Sequence, residues 1–176
     1  MFVVLPNQLY ESLDNILLSK QKDVYIIEDP IYFYDEIRPF KYNKIKLAYM
    51  VACMRFYFDY LVAKLNNVKV HYIVFNKANA WHNNVAKKNK HEPIHMYIPT
   101  DKDIENKYGE NVVWYETPNF LMTRDDLDTY HKNGKTQHRH VHFFQHVKNK
   151  LGILKGVKSQ DSNNRSNLPL SYTRIG

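Results

Sequence analysis

Short apolar runs rich in β-branched residues alternate along this chain with longer stretches of helical period. Phe2-Val3-Val4-Leu5 is the first run, closed by Pro6. Val24-Tyr25-Ile26-Ile27 is the second, closed by Glu28-Asp29-Pro30. Val68-Lys69-Val70-His71-Tyr72-Ile73-Val74-Phe75 is the third. Ile94-His95-Met96-Tyr97-Ile98 stops at Pro99, and Val112-Val113-Trp114-Tyr115 runs into Thr117-Pro118. Short apolar runs bounded by such turn signals read as buried strands. Between the second and third runs, Leu47, Met50, Val51, Met54, Phe58, Leu61 and Leu65 share one sector at about 100° per residue, which predicts a long helix over 43–65 with Asn43 as N-cap. Arg55 and Asp59 stand four apart on its flank, and Cys53 reads as a small buried thiol within it. Weaker helical stretches cover 11–19, 79–89, 101–108, 124–131 and 136–151. Strands that alternate with helices imply a parallel sheet with right-handed crossovers. The predicted class is therefore α/β, a Rossmann-like or flavodoxin-like three-layer sandwich around a five-stranded parallel sheet. After Gly152 the pattern dissolves, and SQDSNNRSN over 159–167 is polar and without period. This predicts one domain over 1–158 and a polar, linker-like tail over 159–176.

Composition narrows the class. Hydrophobic residues make up 44% and aromatics 14%, enough to build a core and too many for a disordered chain. The single cysteine excludes a disulfide framework and a self-contained four-cysteine iron–sulfur site. No apolar run reaches the roughly 18 residues that span a bilayer. The start, MFVVLPNQLYESLD, lacks the basic segment of a secretory signal. A soluble, intracellular protein of the cytoplasm, nucleoid or nucleus is expected, with no membrane partner. Lys and Arg number 25 against 18 Asp and Glu, a formal net charge of +7 that suits phosphate or an acidic partner. The abundance of Lys, Asn, Ile and Tyr points to an AT-rich genome, a viral one among the options.

In an open parallel sheet ligands sit beyond the carboxyl ends of the strands, where crossover direction reverses. The segments to inspect are 6–10, 28–42, 76–81, 99–102 and 116–120. The turn after the first strand, Leu5-Pro6-Asn7-Gln8-Leu9, has no glycine, which argues against a dinucleotide site, and no Walker-type lysine loop exists. The loop over 28–42 carries Tyr32, Phe33, Tyr34, Phe40 and Tyr42. It reads either as a stacking pocket for a planar ligand, with Glu28 or Asp29 accepting hydrogen bonds, or as a lid packed on the sheet edge. On the last predicted helix His138, His142 and His146 share a face with Lys135, Arg139 and Lys150. Histidines spaced by four can hold a metal, but no carboxylate lies between them, and the face reads better as a basic stripe for phosphate or an acidic partner. Asp125-Asp126 after Thr123 reads as helix capping.

Several segments together resemble one family. They are FVVLPNQLYESLD, VYIIEDP, KIKLAYMVACMRFYFDYL, VKVHYIVFN, ETPNFLMTRDDLDTYHKNGK, FFQHVKNKLGIL and SQDSNNRSNLP. Their most specific pieces are Asn7-Gln8-Leu9, Ala52-Cys53-Met54-Arg55-Phe56 and Asp161-Ser162-Asn163-Asn164-Arg165. In order and spacing the chain resembles the N-terminal part of deoxyribodipyrimidine photolyase-related proteins, a branch of the cryptochrome/photolyase superfamily that includes bacterial (6-4) photolyases with an iron–sulfur cluster. The resemblance implies an α/β antenna domain that carries a lumazine-type chromophore and packs on a helical domain. That helical domain holds FAD and the cluster and repairs damaged DNA. By position, the antenna pocket falls on Asn7, Gln8, Leu9, Ile27, Glu28, Asp29 and Tyr32. Pro6-Asn7 stands where the family usually has Gly-Asp, and Tyr32 where an acidic residue is usual.

The helical FAD-binding domain is expected outside these 176 residues, in a separate polypeptide or domain, with Lys135, Arg139, His142, His146, Lys150 and Arg165 facing it or DNA. Without it the chain is expected to be inactive alone, with no catalytic or metal-binding residues of its own. Two rival readings are a stand-alone basic nucleic-acid-binding module and a metal-dependent enzyme built on His138, His142 and His146.

Overall fold

Five strands form one sheet: β1 (Phe2–Val4), β2 (Asp23–Ile27), β3 (Lys69–Ile73), β4 (Ile94–Tyr97) and β5 (Val112–Tyr115). All neighbours pair in parallel, in the order β3-β2-β1-β4-β5. In the computed structural model the described residues are 1–34, 41–88, 92–132 and 140–157. They fall into two compact units, Met1–Leu121 and a second that begins at Met122. The tail over 159–176 lies outside the described residues.

The strand order decides between the two predicted variants. The first crossovers carry the chain from β1 outward to β3; the next returns past β1 to β4, so direction reverses between β1 and β4, the Rossmann arrangement. Helices α1 (Asp14–Leu18) and α2 (Lys44–Lys64) cover one face of the sheet. There Ile16, Met54, Tyr57, Leu61 and Leu65 close on Phe2, Val4, Val24, Ile26 and Tyr97. Helices α3 (Phe75–Lys88) and α4 (Lys102–Tyr108) cover the other, where Ala78, Val85 and Ile104 close on Val3, Leu5, Ile27, Ile94 and Met96. The central strand β1 is buried at every residue, as a strand covered on both faces must be.

Helix α2 starts where its sequence predicts: the Asn43 side chain accepts from the Ile45 N–H at 2.8 Å. Asn43→Ala is expected to lower stability by about 1 kcal/mol, read as a drop in the urea midpoint at unchanged slope. Three details differ from the sequence expectation. The first helix begins at Asp14 rather than at 11, because the Tyr10 and Glu11 carbonyls accept instead from the Tyr57 and Tyr60 hydroxyls of α2. The third strand stops at Ile73, and Phe75 opens α3 four residues early, its N–H held by the Glu28 carboxylate at 2.8 Å. Cys53 is half-buried rather than buried, and Tyr57 takes the inward position on α2.

In the second unit, α5 (Arg124–Lys132) opens with a reciprocal cap. The Thr123 N–H donates to Asp126 and the Asp126 N–H to the Thr123 hydroxyl, both at 3.1 Å, the capping role predicted for this pair. Helix α6 (His140–Leu151) follows; residues 136–139, the start of the helix expected over 136–151, lie outside the described residues.

Candidate functional site

The sheet topology directs attention to the carboxyl edge, and the crevice between β1 and β4 comes first. It is filled by the protein itself. Gln8 is buried after the β1 turn; its Oε1 accepts from the Leu5 N–H at 3.2 Å and its Nε2 donates to the Tyr97 carbonyl at 3.1 Å. The side chain thus stitches β1 to β4 where a ligand would otherwise enter. Asn7 is exposed and its Oδ1 accepts from the Tyr32 hydroxyl at 2.8 Å. Leu9 packs against the core on the α1–α2 side of the sheet. Ile27 is fully buried in the opposite core.

One strand outward, Asp29 ends β2 and caps the 3₁₀ turn Pro30–Tyr32. Its carboxylate is fully buried and fully occupied. Oδ1 accepts from the Ile31 N–H at 3.1 Å and from Lys107 Nζ at 2.7 Å. Oδ2 accepts from His82 Nε2 at 2.9 Å and from the Tyr108 hydroxyl at 3.0 Å. Burial alone would push the carboxyl pKa up; the His82 hydrogen bond and the charges of Lys107 and His82 outweigh it and hold the group at about 2. Beside this anion the buried Tyr108 hydroxyl is pushed well above its ordinary value, first by burial and then by Asp29. With every lone pair engaged, Asp29 is a structural hub that ties the end of β2 to α3 and α4.

Glu28 faces the other side of the sheet. Its Oε1 accepts from the Tyr72 hydroxyl at 2.7 Å, and its Oε2 from the Phe75 N–H. Burial and the Glu28 carboxylate both raise the Tyr72 pKa. Above Glu28 lies an open groove of ≈ 620 Å³, lined by Phe33, Tyr34 and Phe75 and by Leu47, Ala48, Val51, Ala52 and Arg55 on one wall of α2. Phe33 and Phe75 meet with ring centroids 5.8 Å apart, and the Arg55 guanidinium stands over the Tyr72 ring at 5.1 Å. The volume is within the range that holds small-molecule ligands. An apolar groove with aromatic walls and one guanidinium accommodates a flat, conjugated molecule that carries an oxygen-rich or anionic edge.

Of the residues expected at the pocket, Glu28 lines the groove, the Tyr32 hydroxyl donates to Asn7, Asp29 is held by its own donors, and Gln8, Leu9 and Ile27 are committed to packing. The α2 wall and Phe75 escaped sequence reasoning because Leu47 and Val51 fit the core stripe and Phe75 fits the end of a strand. The run of small residues Ala48 and Ala52 on the helix was the available signal. In the second unit His142 is exposed, the His146 ring lies 4.8 Å from that of Tyr130, and Lys150 pairs with Asp126. Lys135, His138, Arg139 and Arg165 lie outside the described residues. Among the described residues no group of three or more His, Cys, Asp or Glu is placed to hold a metal ion. No helix among them is long and apolar enough to cross a membrane.

The fold is a Rossmann-like sandwich whose open, ligand-sized site lies at the carboxyl edge of β2 and β3. The chain belongs to the deoxyribodipyrimidine photo-lyase-related protein family, whose model matches residues 2–173. It is 30% identical over 187 residues to the uncharacterized protein R852 of Acanthamoeba polyphaga mimivirus, an alignment covering 95% of this chain and 94% of the viral one. No solved structure matches the chain.

Proposed function

We propose that this protein is a light-harvesting module of a photolyase-related system. In this reading it holds a lumazine-type chromophore in the groove between Glu28 and α2, and a helical FAD-binding polypeptide or domain outside this chain performs the repair of ultraviolet-damaged DNA or the photoreception. The observation that carries the reading is the aromatic-walled groove at the carboxyl edge of β2 and β3; family membership supplies the context. The residues present fit the group. Phe33, Tyr34 and Phe75 supply stacking edges, Leu47 and Val51 an apolar floor, and Arg55 a donor for carbonyl oxygens or a phosphate. A bound lumazine would absorb near-ultraviolet to blue light and pass the excitation on. The protein's own part is to bind, orient and shield. Glu28 contributes indirectly: by holding the Tyr72 hydroxyl and the start of α3 it fixes Phe75 at the rim.

The test is an absorption spectrum of freshly purified protein, followed by fluorescence titration of the stripped protein with a lumazine. The expected result is a near-ultraviolet to blue band, or saturable binding that shifts the ligand's emission. A bare protein spectrum together with no saturable binding of lumazine or flavin would overturn the reading.

A further inference from the structure

Tyr72 stands one side chain behind the groove, between its two charged residues. Its hydroxyl donates to Glu28 Oε1 at 2.7 Å, and the Arg55 guanidinium stands 5.1 Å from the centre of its ring. Glu28 and Arg55 both line the groove. We infer that Tyr72 is a reversible electron donor to a photoexcited ligand held there, with Glu28 as the base that takes its proton. This role rests on the light-harvesting reading, since it needs a light-absorbing ligand in the groove, and it adds a second fate for the excitation.

Three observations assign the role to this tyrosine. The first is supply. Phe33 and Phe75 at the groove are hard to oxidise, and both tryptophans, Trp81 and Trp114, pack against the core on the opposite face of the sheet. Phenols are left. Tyr34 is 54% exposed, whereas Tyr72 is half-buried with a carboxylate at hydrogen-bond distance, a stronger base than water. The second is the fate of the proton. Burial and the Glu28 carboxylate hold the Tyr72 hydroxyl above its ordinary pKa, so it does not ionise beforehand. The Arg55 cation over the ring opposes a positive charge that develops there. Loss of the electron is therefore coupled to loss of the proton. The phenolic O–H bond breaks, an O–H bond forms at Glu28 Oε1, and the excited heteroaromatic ligand takes the electron. Return of the electron and the proton restores all three groups. The third is reorganisation. The proton moves within one existing hydrogen bond, Glu28 then donates back along it, and Oε2 keeps the Phe75 N–H. Neither Tyr72 nor Glu28 loses its partner. Excitation that finds no acceptor thus returns to the ground state without net chemistry.

Equilibrium dialysis with a lumazine and with riboflavin measures binding, and time-resolved emission of the saturated protein then measures quenching. The expected result is a bound-ligand lifetime that Tyr72→Phe lengthens several-fold. Glu28→Gln keeps an acceptor for the Tyr72 hydroxyl but is no base, and it is expected to lengthen the lifetime as well. Transfer to D2O is expected to lengthen the wild-type lifetime more than that of Tyr72→Phe, because only the wild type moves a proton with the electron. Far-ultraviolet circular dichroism reports that the variants fold. A lifetime at full occupancy that Tyr72→Phe leaves unchanged overturns this role while the light-harvesting reading stands. Relief of quenching by Tyr34→Phe as large as that by Tyr72→Phe does the same. Failure of the wild type to bind either ligand in dialysis overturns both.

Discussion

Replacement of Asp29 by alanine is expected to cost about 3–5 kcal/mol of folding stability, the largest loss of any single polar substitution in the first unit. The carboxylate is buried with four donors aimed at it. Its removal leaves the Lys107 ammonium, 20% exposed, and the part-buried Tyr108 hydroxyl without their shared partner. Uncompensated buried charge, rather than the lost attraction, dominates such a change. Asp29→Asn is the sharper variant. It preserves volume and the capping acceptor for Ile31, but it places a neutral amide against an ammonium and is expected to recover only part of the loss. Denaturant midpoints of both variants, at unchanged slope, give the measurement. A loss below about 1 kcal/mol for alanine would show that Lys107 and His82 find water, and that the hub is ornamental.

The same carboxylate sets an acid limit. Its folded-state pKa of about 2 lies below the ordinary 3.8, so the folded state binds the proton more weakly than the unfolded chain does. The stabilisation is then complete above pH 3.8 and disappears as the pH falls through about 2. A shift of this size corresponds to roughly 2 kcal/mol. Stability of the wild type should fall across that window more steeply than stability of Asp29→Asn, which has no carboxyl to titrate there.

The difference between what the sequence disclosed and what it hid follows from the range of the interactions. All five strands, the long helix with its Asn43 cap and the Thr123–Asp126 box were legible, because period and capping are local properties. The carboxyl edge was legible as a place, because parallel topology dictates it. Its contents were not. Gln8 closes the crevice at the switch point through the Tyr97 carbonyl, 89 positions away, and no local pattern announces that partner. Asp29 was singled out as an acceptor for a ligand, but its donors come from α3 and α4, far along the chain. Likewise Phe75 looked like strand until Glu28 claimed its N–H. Sequence patterns locate the polar residues that matter; only the fold shows which of them the protein has already used.

Because Glu28 and Asp29 are both engaged, a lumazine held in the groove as proposed would be selected chiefly by shape, stacking and the Arg55 charge, and blockade of the groove is the decisive test. Ala48→Trp places an indole on the α2 wall, where Ala48 is exposed and lines the groove. The substitution sits on an exposed position and disturbs no core contact. Lumazine affinity is expected to fall by ~10–100-fold, equivalent to roughly 1.4–3 kcal/mol, while the thermal midpoint stays near that of the wild type. Arg55→Met keeps an unbranched apolar stem on α2 and removes the guanidinium that stands over Tyr72. Its expected effect is ~10-fold or more, larger for a phosphorylated ligand than for a neutral one, since charged hydrogen bonds contribute more than neutral ones. Fluorescence titration of both variants with neutral and phosphorylated ligand resolves the two contributions. If Ala48→Trp binds as tightly as the wild type, the ligand sits elsewhere on the carboxyl edge, and the space beside Asn7 and Tyr32 becomes the site to probe.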